Sequence, residues 1–586
     1  MQYFLVEISY EAGNKVGGIW TVLTSKSRVM KAKFGDNYLA IGFYNPSQAA
    51  IEMIEEEPSG YILNAIKDMQ LPGIKFHYGS WAQGNNVKLL LLDTSEFKQN
   101  NVNQIKGMFW DKFKIDSLNA PEDYNEPLAW SYAVGAFVES LAKFINMKIV
   151  CQVHEWLSAG AILYLKMKNS RIPTVFTIHA TVLGRAISYG GNDIQALLKQ
   201  KSIDDKVAYD YGVQAKHLTE KAGAFNATVF TAVSETVADE AQVMLGKRPD
   251  VITINGIDIT GLPSMDDLEA MRKTAQDKLY NFLNAYFLPY YDTEWIMSPL
   301  IFTSGRYEFY DKGFDLFIDA LGRLDKMLPD GKYVIALIAV PTGTLSTKNE
   351  VAANYLTYLS VKAQLSRDIK GFEETASMLP TANYSSLDKA YNRIITDARL
   401  VISELRRPRP TNPPICPFIL SYPEENDQIL SALKRNGLVN SKDNKVKVIF
   451  YPKYLMIGDE LLNLTYNELL SISTAGVFLS KYEPFGYTPL EAAAYGSLSF
   501  TTDRSGFGKY LQTYKFTNQG IFIESLSDER DNIVKKVAYD ILQIVSLEQD
   551  DIFALRTSAR KTAELFDWEG LITNYLQAYE LALSRP

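Results

Sequence analysis

Short, continuously apolar runs recur along this chain, and each gives way to a segment with helical spacing. In the first half they are YFLVEIS from Tyr3, YLAIGF from Tyr38, VKLLLLD from Val87, MKIVCQVH from Met147, TVFTIH from Thr174 and TVFTAVS from Thr228. Strands with one wet face alternate apolar and polar residues. Strands apolar throughout are covered on both faces, as in a parallel sheet between layers of helices. The pattern therefore reads as α/β. In open sheets of this class, ligands bind outside the carboxyl ends of the strands, and several runs here end on a polar functional residue, such as His154 and His179.

The chain has 586 residues, too many for one core. The pattern divides into two α/β domains, residues 1–296 and 297–568, with a last helix over 569–586 expected to cross back onto the first domain. Between 349 and 405 the strands stop and helical spacing takes over, through Val351, Tyr355 and Leu359 and then Leu387, Tyr391, Ile394, Ile395, Ile402 and Leu405. Such an insertion either covers its own domain's core or forms an arm for assembly. A net charge of −8, with no dense Lys/Arg run, argues against a nucleic-acid partner. Two cysteines make neither a disulfide framework nor a metal set, and Cys151 lies in an apolar run that fits a core. The chain opens on a strand with no basic leader, and its apolar runs are strand-length. A cytoplasmic protein without a membrane span is expected.

The densest chemistry lies in SKYEPFGYTPLEAAAYGS from Ser480, after the strand-like GVFL. Thr488, Pro489 and Glu491 read as an N-cap, a first helical residue and a capping-box partner. With Gly486 allowing close approach, such a helix start suits a phosphate. Glu483 and Glu491 flank the turn. Read alone, they are equally a surface acid and a cap.

Other strand ends carry comparable groups. Lys15 stands before Gly17 and Gly18, which open a helix. His154-Glu155-Trp156 closes one strand; His179-Ala180-Thr181, with Arg185 beyond, closes the next. Two of the chain's four histidines thus fall at consecutive strand ends. Satisfied core histidines are the alternative, and zinc is disfavoured because no third ligand stands at ligand spacing. In the second half, Arg306 and Lys312 flank a strand-to-helix junction, where two cations can neutralise a leaving diphosphate. The helix after Lys312 has an apolar face of Phe314, Phe317, Ile318 and Leu321.

These segments together resemble the glycogen synthases of the animal and fungal type, retaining glycosyltransferases of the GT-B fold. The resemblance covers nearly the whole chain: KVGG, HEW, HAT-x-x-GR, GRYE-x-x-x-KG, the E-x-x-x-x-x-x-x-E segment YEPFGYTPLE, TDRSGFG and FDW appear in order. It implies two Rossmann-like domains with the active site between them, and transfer of glucose from a nucleotide-glucose to an α-1,4-glucan. It implies donor contacts from Lys15, Gly17, Gly18, Tyr466, Gly486, Tyr487, Thr488 and Glu491, with Tyr466 at the position of a base-stacking tyrosine. Glu483, Arg306, Lys312 and His179 would serve the transfer, and His154, Glu155 and Arg185 would line the sugar and acceptor side. No metal or other cofactor is implied, and homo-oligomers would form through the helical insertion. Some fungal members carry an arginine in place of Lys15, and lysine occurs with both UDP-glucose and ADP-glucose users. UDP-glucose is the expected donor; an ADP-glucose-dependent glucan synthase or another retaining GT-B glycosyltransferase, such as one making a disaccharide, is the alternative, and a glucan-binding protein without catalysis is the more distant one.

Relatives in this family that respond to glucose 6-phosphate carry an arginine-crowded helix before FDW. Here LRTSARKTAEL offers only Arg556, Arg560 and Lys561, and Glu564 stands four residues past Arg560. An ordinary solvated face, and activity without this effector, are expected.

Overall fold

The computed structural model describes residues 3–377, 384–406, 411–515 and 520–585. The first sheet is built from Tyr3–Ile8 (β1), Tyr38–Phe43 (β2), Met53–Glu55 (β3), Lys75–Trp81 (β4), Val87–Asp93 (β5), Lys148–His154 (β6), Thr174–Ile178 (β7), Val229–Ala232 (β8) and Val251–Ile252 (β9). Their order is β3-β4-β5-β2-β1-β6-β7-β8-β9. From β5 to β9 every pairing is parallel, and β1, β2 and β7 are buried almost throughout, as continuous apolarity requires. The edge pair β3 and β4 runs antiparallel and was not legible as strand. Its segment, KFHYGSW, mixes apolar with polar residues because that edge of the sheet is half exposed.

The second sheet takes Leu300–Ser304 (β10), Val334–Ala339 (β11), Val446–Tyr451 (β14), Ala475–Val477 (β15), Leu498–Thr502 (β16) and Ile521–Glu524 (β17). Its order is β14-β11-β10-β15-β16-β17, all parallel. A small antiparallel pair, Thr344–Thr347 (β12) with Phe418–Leu420 (β13), brackets the helical insertion.

The packing places two helices in informative ways. Helix Met265–Phe287 buries Leu268, Ala275, Leu279, Phe282 and Leu283 in the core of the second sheet. The expected division at 296 counts these residues with the first half, but their apolar side packs with the second. Helix Trp568–Ser584 returns to the first sheet. There Trp568, Ile572, Tyr575 and Tyr579 share a core with Tyr3, Leu5, Val22 and Val150.

The insertion is a pair of long helices, Asn349–Ser377 and Tyr384–Leu405, packed on each other. Val351 and Leu405 are buried at its base, whereas Leu356, Leu359, Tyr391, Ile395 and Leu400 are exposed. The Ile402 side chain lies outside the described residues. Among the described residues, no helix is long and apolar enough to cross a membrane.

Candidate active site

Strands β10 and β15 are neighbours, so the loops leaving their carboxyl ends meet. Gly313 sits at φ 67°, and a Cβ there would lie 2.0 Å from the Leu479 carbonyl oxygen. Only glycine permits that approach. It brings Lys312 Nζ to 2.6 Å from Glu483 Oε2, with both side chains mostly buried. Asp311 holds the two loops together, its carbonyl accepting from Lys481 N at 2.7 Å.

The turn after Glu483 ends at Gly486, φ 111°, which is the N-cap of helix Tyr487–Ala494. This corrects the expected start at Thr488. A backbone conformation open to glycine begins the helix two residues earlier, so Thr488 and Pro489 lie within its first turn. Glu491 is too far along to close a capping box. No side chain caps this helix, and the amides of Tyr487 and Thr488 have no acceptor among the described residues. These free N–H groups form an anion-binding end.

Glu491 is half-buried, without a hydrogen-bond or ion-pair partner among the described residues, and burial pushes its carboxyl up to about 7. Tyr466 stands near it at the start of helix Tyr466–Ile472, its hydroxyl 3.3 Å from Ser304 Oγ. Burial first, and then the Glu491 carboxyl, push that phenol up. Ser304, Tyr466 and Glu491 therefore lie close together.

The first sheet supplies the facing wall. His154 ends β6 and His179 follows β7; their rings are joined Nδ1 to Nε2 at 3.0 Å. Glu155 occupies the left-handed region at φ 63°, an unfavourable conformation for a non-glycine residue. Its Oε1 accepts from His179 N at 2.8 Å and Ala180 N at 3.1 Å. Glu155 is thus committed to shaping the His179 loop. Burial pushes its carboxyl up, opposed by Arg185 and those amides. The acids around Arg185 escaped sequence reading. Glu220 accepts from Val182 N at 3.1 Å. Glu240 Oε2 accepts from Thr181 Oγ1 at 2.8 Å and from Tyr482 OH, in the second domain, at 3.1 Å, and burial pushes this acid up to about 7.

Further contacts set the two walls against each other. Ser188 Oγ donates to Asp311 Oδ1 at 2.9 Å, Ser234 Oγ to the Pro484 carbonyl at 2.6 Å, and Tyr487 OH to the Gly256 carbonyl at 3.2 Å. The Glu483 loop is therefore seated on the first domain.

Two expected site cations, Arg306 and Lys15, are exposed. The Arg306 side chain is 69% exposed and pairs with Glu308 at 3.1 Å. Lys15 is exposed, 4.4 Å from the centre of the Trp20 ring. The helix that begins at Gly18 already has a carboxyl group at its end: Glu11 Oε2 accepts from Gly17 N at 2.8 Å and Trp20 N at 2.9 Å. Glu11, four residues before Lys15, carries no sequence signal, because nothing local distinguishes it from a strand-end acid.

The arginine stretch also differs from its expected solvated face. Arg560 does meet Glu564 at 3.0 Å, but it is buried and donates to the carbonyls of Ala494 and Pro263 at 2.5 and 3.2 Å. Arg556 donates to the Ser473 carbonyl at 2.9 Å. Both fasten helix Gln549–Glu564 to the second domain. Among the described residues, no group of three or more histidine, cysteine or carboxylate side chains is arranged to hold a metal ion.

Two Rossmann-like domains presenting strand ends and a free helix N-terminus to a shared cleft define the GT-B class of glycosyltransferases. The catalytic domain of starch synthase IV from Arabidopsis thaliana has the same fold, with a TM-score of 0.57 and 15% identity over the whole of both chains. A family model for glycogen synthase matches residues 7–586. The glycogen [starch] synthase of Neurospora crassa is 31% identical over all of this chain and 84% of its own length. Isoform 1 from Saccharomyces cerevisiae is 30% identical over all of this chain and 86% of its length. The rat liver enzyme is 29% identical over 99% of this chain and 83% of its length. The chain belongs to the glycogen synthase family.

Proposed function

We propose that this protein transfers glucose from a nucleotide-glucose, UDP-glucose by preference, to the non-reducing end of an α-1,4-glucan with retention at the anomeric carbon. The observation that carries this reading is the Lys312–Glu483 pair at 2.6 Å, with Glu483 three residues before the uncapped helix start at Gly486. The diphosphate would lie on that helix end, where Lys312 and Arg306 answer the charge that develops as it leaves. Glu483, released from its full pairing with Lys312, would orient the glucose and favour positive character at its anomeric carbon. Tyr466 and Glu491 would take the base and ribose. The acceptor hydroxyl would attack from the face the diphosphate departs, and the leaving phosphate would take its proton.

Lys15, Gly17 and Gly18 would close on the donor from the first domain. His154 and Glu155 act on this wall by holding His179, and Arg185 faces the sugar. No metal enters this scheme, since Arg306, Lys312 and the helix end supply the positive charge. The exposed apolar side chains of the insertion, including Leu356, Tyr391 and Leu400, suit it to joining copies of the chain in the cytoplasm. The test is nucleotide release by the purified protein with glycogen and a panel of nucleotide-glucoses, in excess EDTA. Release of UDP that requires glycogen is expected. Release from ADP-glucose alone would move the donor, and glycogen binding without release from any donor would leave a binding protein.

A further inference from the structure

Beneath the cleft, a line of buried polar groups runs from the first strand to His179. Glu7 on β1 is 1% exposed. Its carboxylate bonds Lys26 and the Tyr38 hydroxyl, and Oε1 also meets His154 Nε2 at 2.8 Å. His154 Nδ1 in turn meets His179 Nε2 at 3.0 Å. The other nitrogen of His179, Nδ1, has no partner among the described residues. The residue follows the carboxyl end of β7 and is 8% exposed.

We propose that Glu7 is a positioning residue for the transfer: acting through His154, it fixes the proton of His179 on Nε2 and leaves Nδ1 bare, to accept a hydrogen bond from a sugar hydroxyl. The proton positions follow from hydrogen-bond balance. An ionised carboxylate can only accept, so His154 Nε2 carries a proton. A neutral His154 then has a bare Nδ1, which must accept from His179 Nε2–H. A neutral imidazole protonated on Nε2 is bare on Nδ1.

Both rings stay neutral because of what surrounds them. Lys26, from helix Gly18–Phe34, answers the charge of Glu7 and lies 4.1 Å from the centre of the Tyr575 ring. Tyr38 donates to Glu7 from β2, and Tyr575 and Tyr579 face it from the last helix. Burial, His154, Lys26 and Arg185 hold His179 well below the ordinary imidazole range, with Glu7 opposing; burial also lowers His154. An orienting carboxylate that sets a histidine's tautomer without touching substrate is an established device in catalytic triads. Here it is relayed through a second ring.

The proposal rests on the proposed glucosyl transfer only for the sugar contact, and its first test needs no substrate. Solid-state 15N spectra of protein labelled in its histidine rings would be recorded from about pH 6 to about pH 8. Signals absent from a His179→Gln variant belong to His179, one of four histidines. One bare Nδ1 and one protonated Nε2, unchanged across this range, are expected. A proton on Nδ1, alone or on a doubly protonated ring, would overturn the proposal.

The second test is Glu7→Gln. Its amide can donate as well as accept, so a second tautomer of His179 should appear, and kcat should fall by about tenfold or more while the donor KM stays within about twofold. Unchanged tautomers with the same fall in kcat would assign Glu7 a structural role and contradict the proposal. If the wild-type protein transfers no glucose, the spectra still decide the tautomer, so the two readings fail separately.

Discussion

Glu483 and Glu491 flank one turn yet sit in opposite surroundings, the first ion-paired to Lys312 and the second half-buried without a partner among the described residues. Glu483→Ala should lower turnover by about a thousandfold or more while donor affinity changes by less than about threefold. Glu491→Ala should weaken donor binding instead, and it should leave the melting temperature intact, because this acid is not the helix cap. Rates, donor titrations and melting curves of the two variants check this division. A loss of about 1 kcal/mol of stability in Glu491→Ala would restore the capping role. The Glu491 carboxyl also gives a pH test. Its value near 7 in the folded chain exceeds the ordinary 4.5, so in the proposed role it would meet ribose as a carboxylate only once pH rises past about 7. Donor affinity should therefore increase from about pH 6 to about pH 8, and Glu491→Gln should flatten that rise.

Elements differ in how plainly the sequence announces them. The strands of β1, β2, β5, β6 and β7 are legible because burial on both faces demands unbroken apolarity, and their ends locate His154 and His179. The β4 edge is hidden because one face is wet, and the start of the Tyr487–Ala494 helix is hidden because its cap is a backbone conformation at Gly486, with no polar side chain to signal it. Glu7, Glu220 and Glu240 are hidden for another reason: their partners lie on other elements, and no local spacing shows which acid will face an arginine or a histidine. Arg556 and Arg560 look like a solvated face for the same reason. Removing both as Arg556→Ala/Arg560→Ala should cost about 3 kcal/mol or more, since charged donors leave the Ser473, Ala494 and Pro263 carbonyls. Glucose 6-phosphate should change the wild-type rate by less than about twofold, against the roughly 5- to 150-fold of a coupled effector. Tenfold activation lost in the double variant would show an effector site there. Replacing residues 349–405 with a short Gly/Ser loop should lower the molar mass in solution, read by light scattering. An unchanged mass with both domains folded would place assembly elsewhere.

Across the whole molecule, the Glu240–Tyr482 bond joins the two domains. Glu240 is raised from 4.5 to about 7 in the folded state, so the folded chain holds a proton that the unfolded chain has lost. The resulting stability is fully present below about pH 4.5 and is lost as pH rises through about 7. Melting temperatures should fall from about pH 6 to about pH 8, less steeply in Glu240→Gln; an identical slope in the variant would remove Glu240 from the linkage. Glucosyl transfer would run across a cleft whose two walls come from different sheets. The direct measurement is the 13C NMR spectrum of glycogen after incubation with the protein and UDP-glucose labelled at the anomeric carbon. New label in α-1,4 linkages is expected. Label in β linkages, or as free glucose with no incorporation, would contradict it.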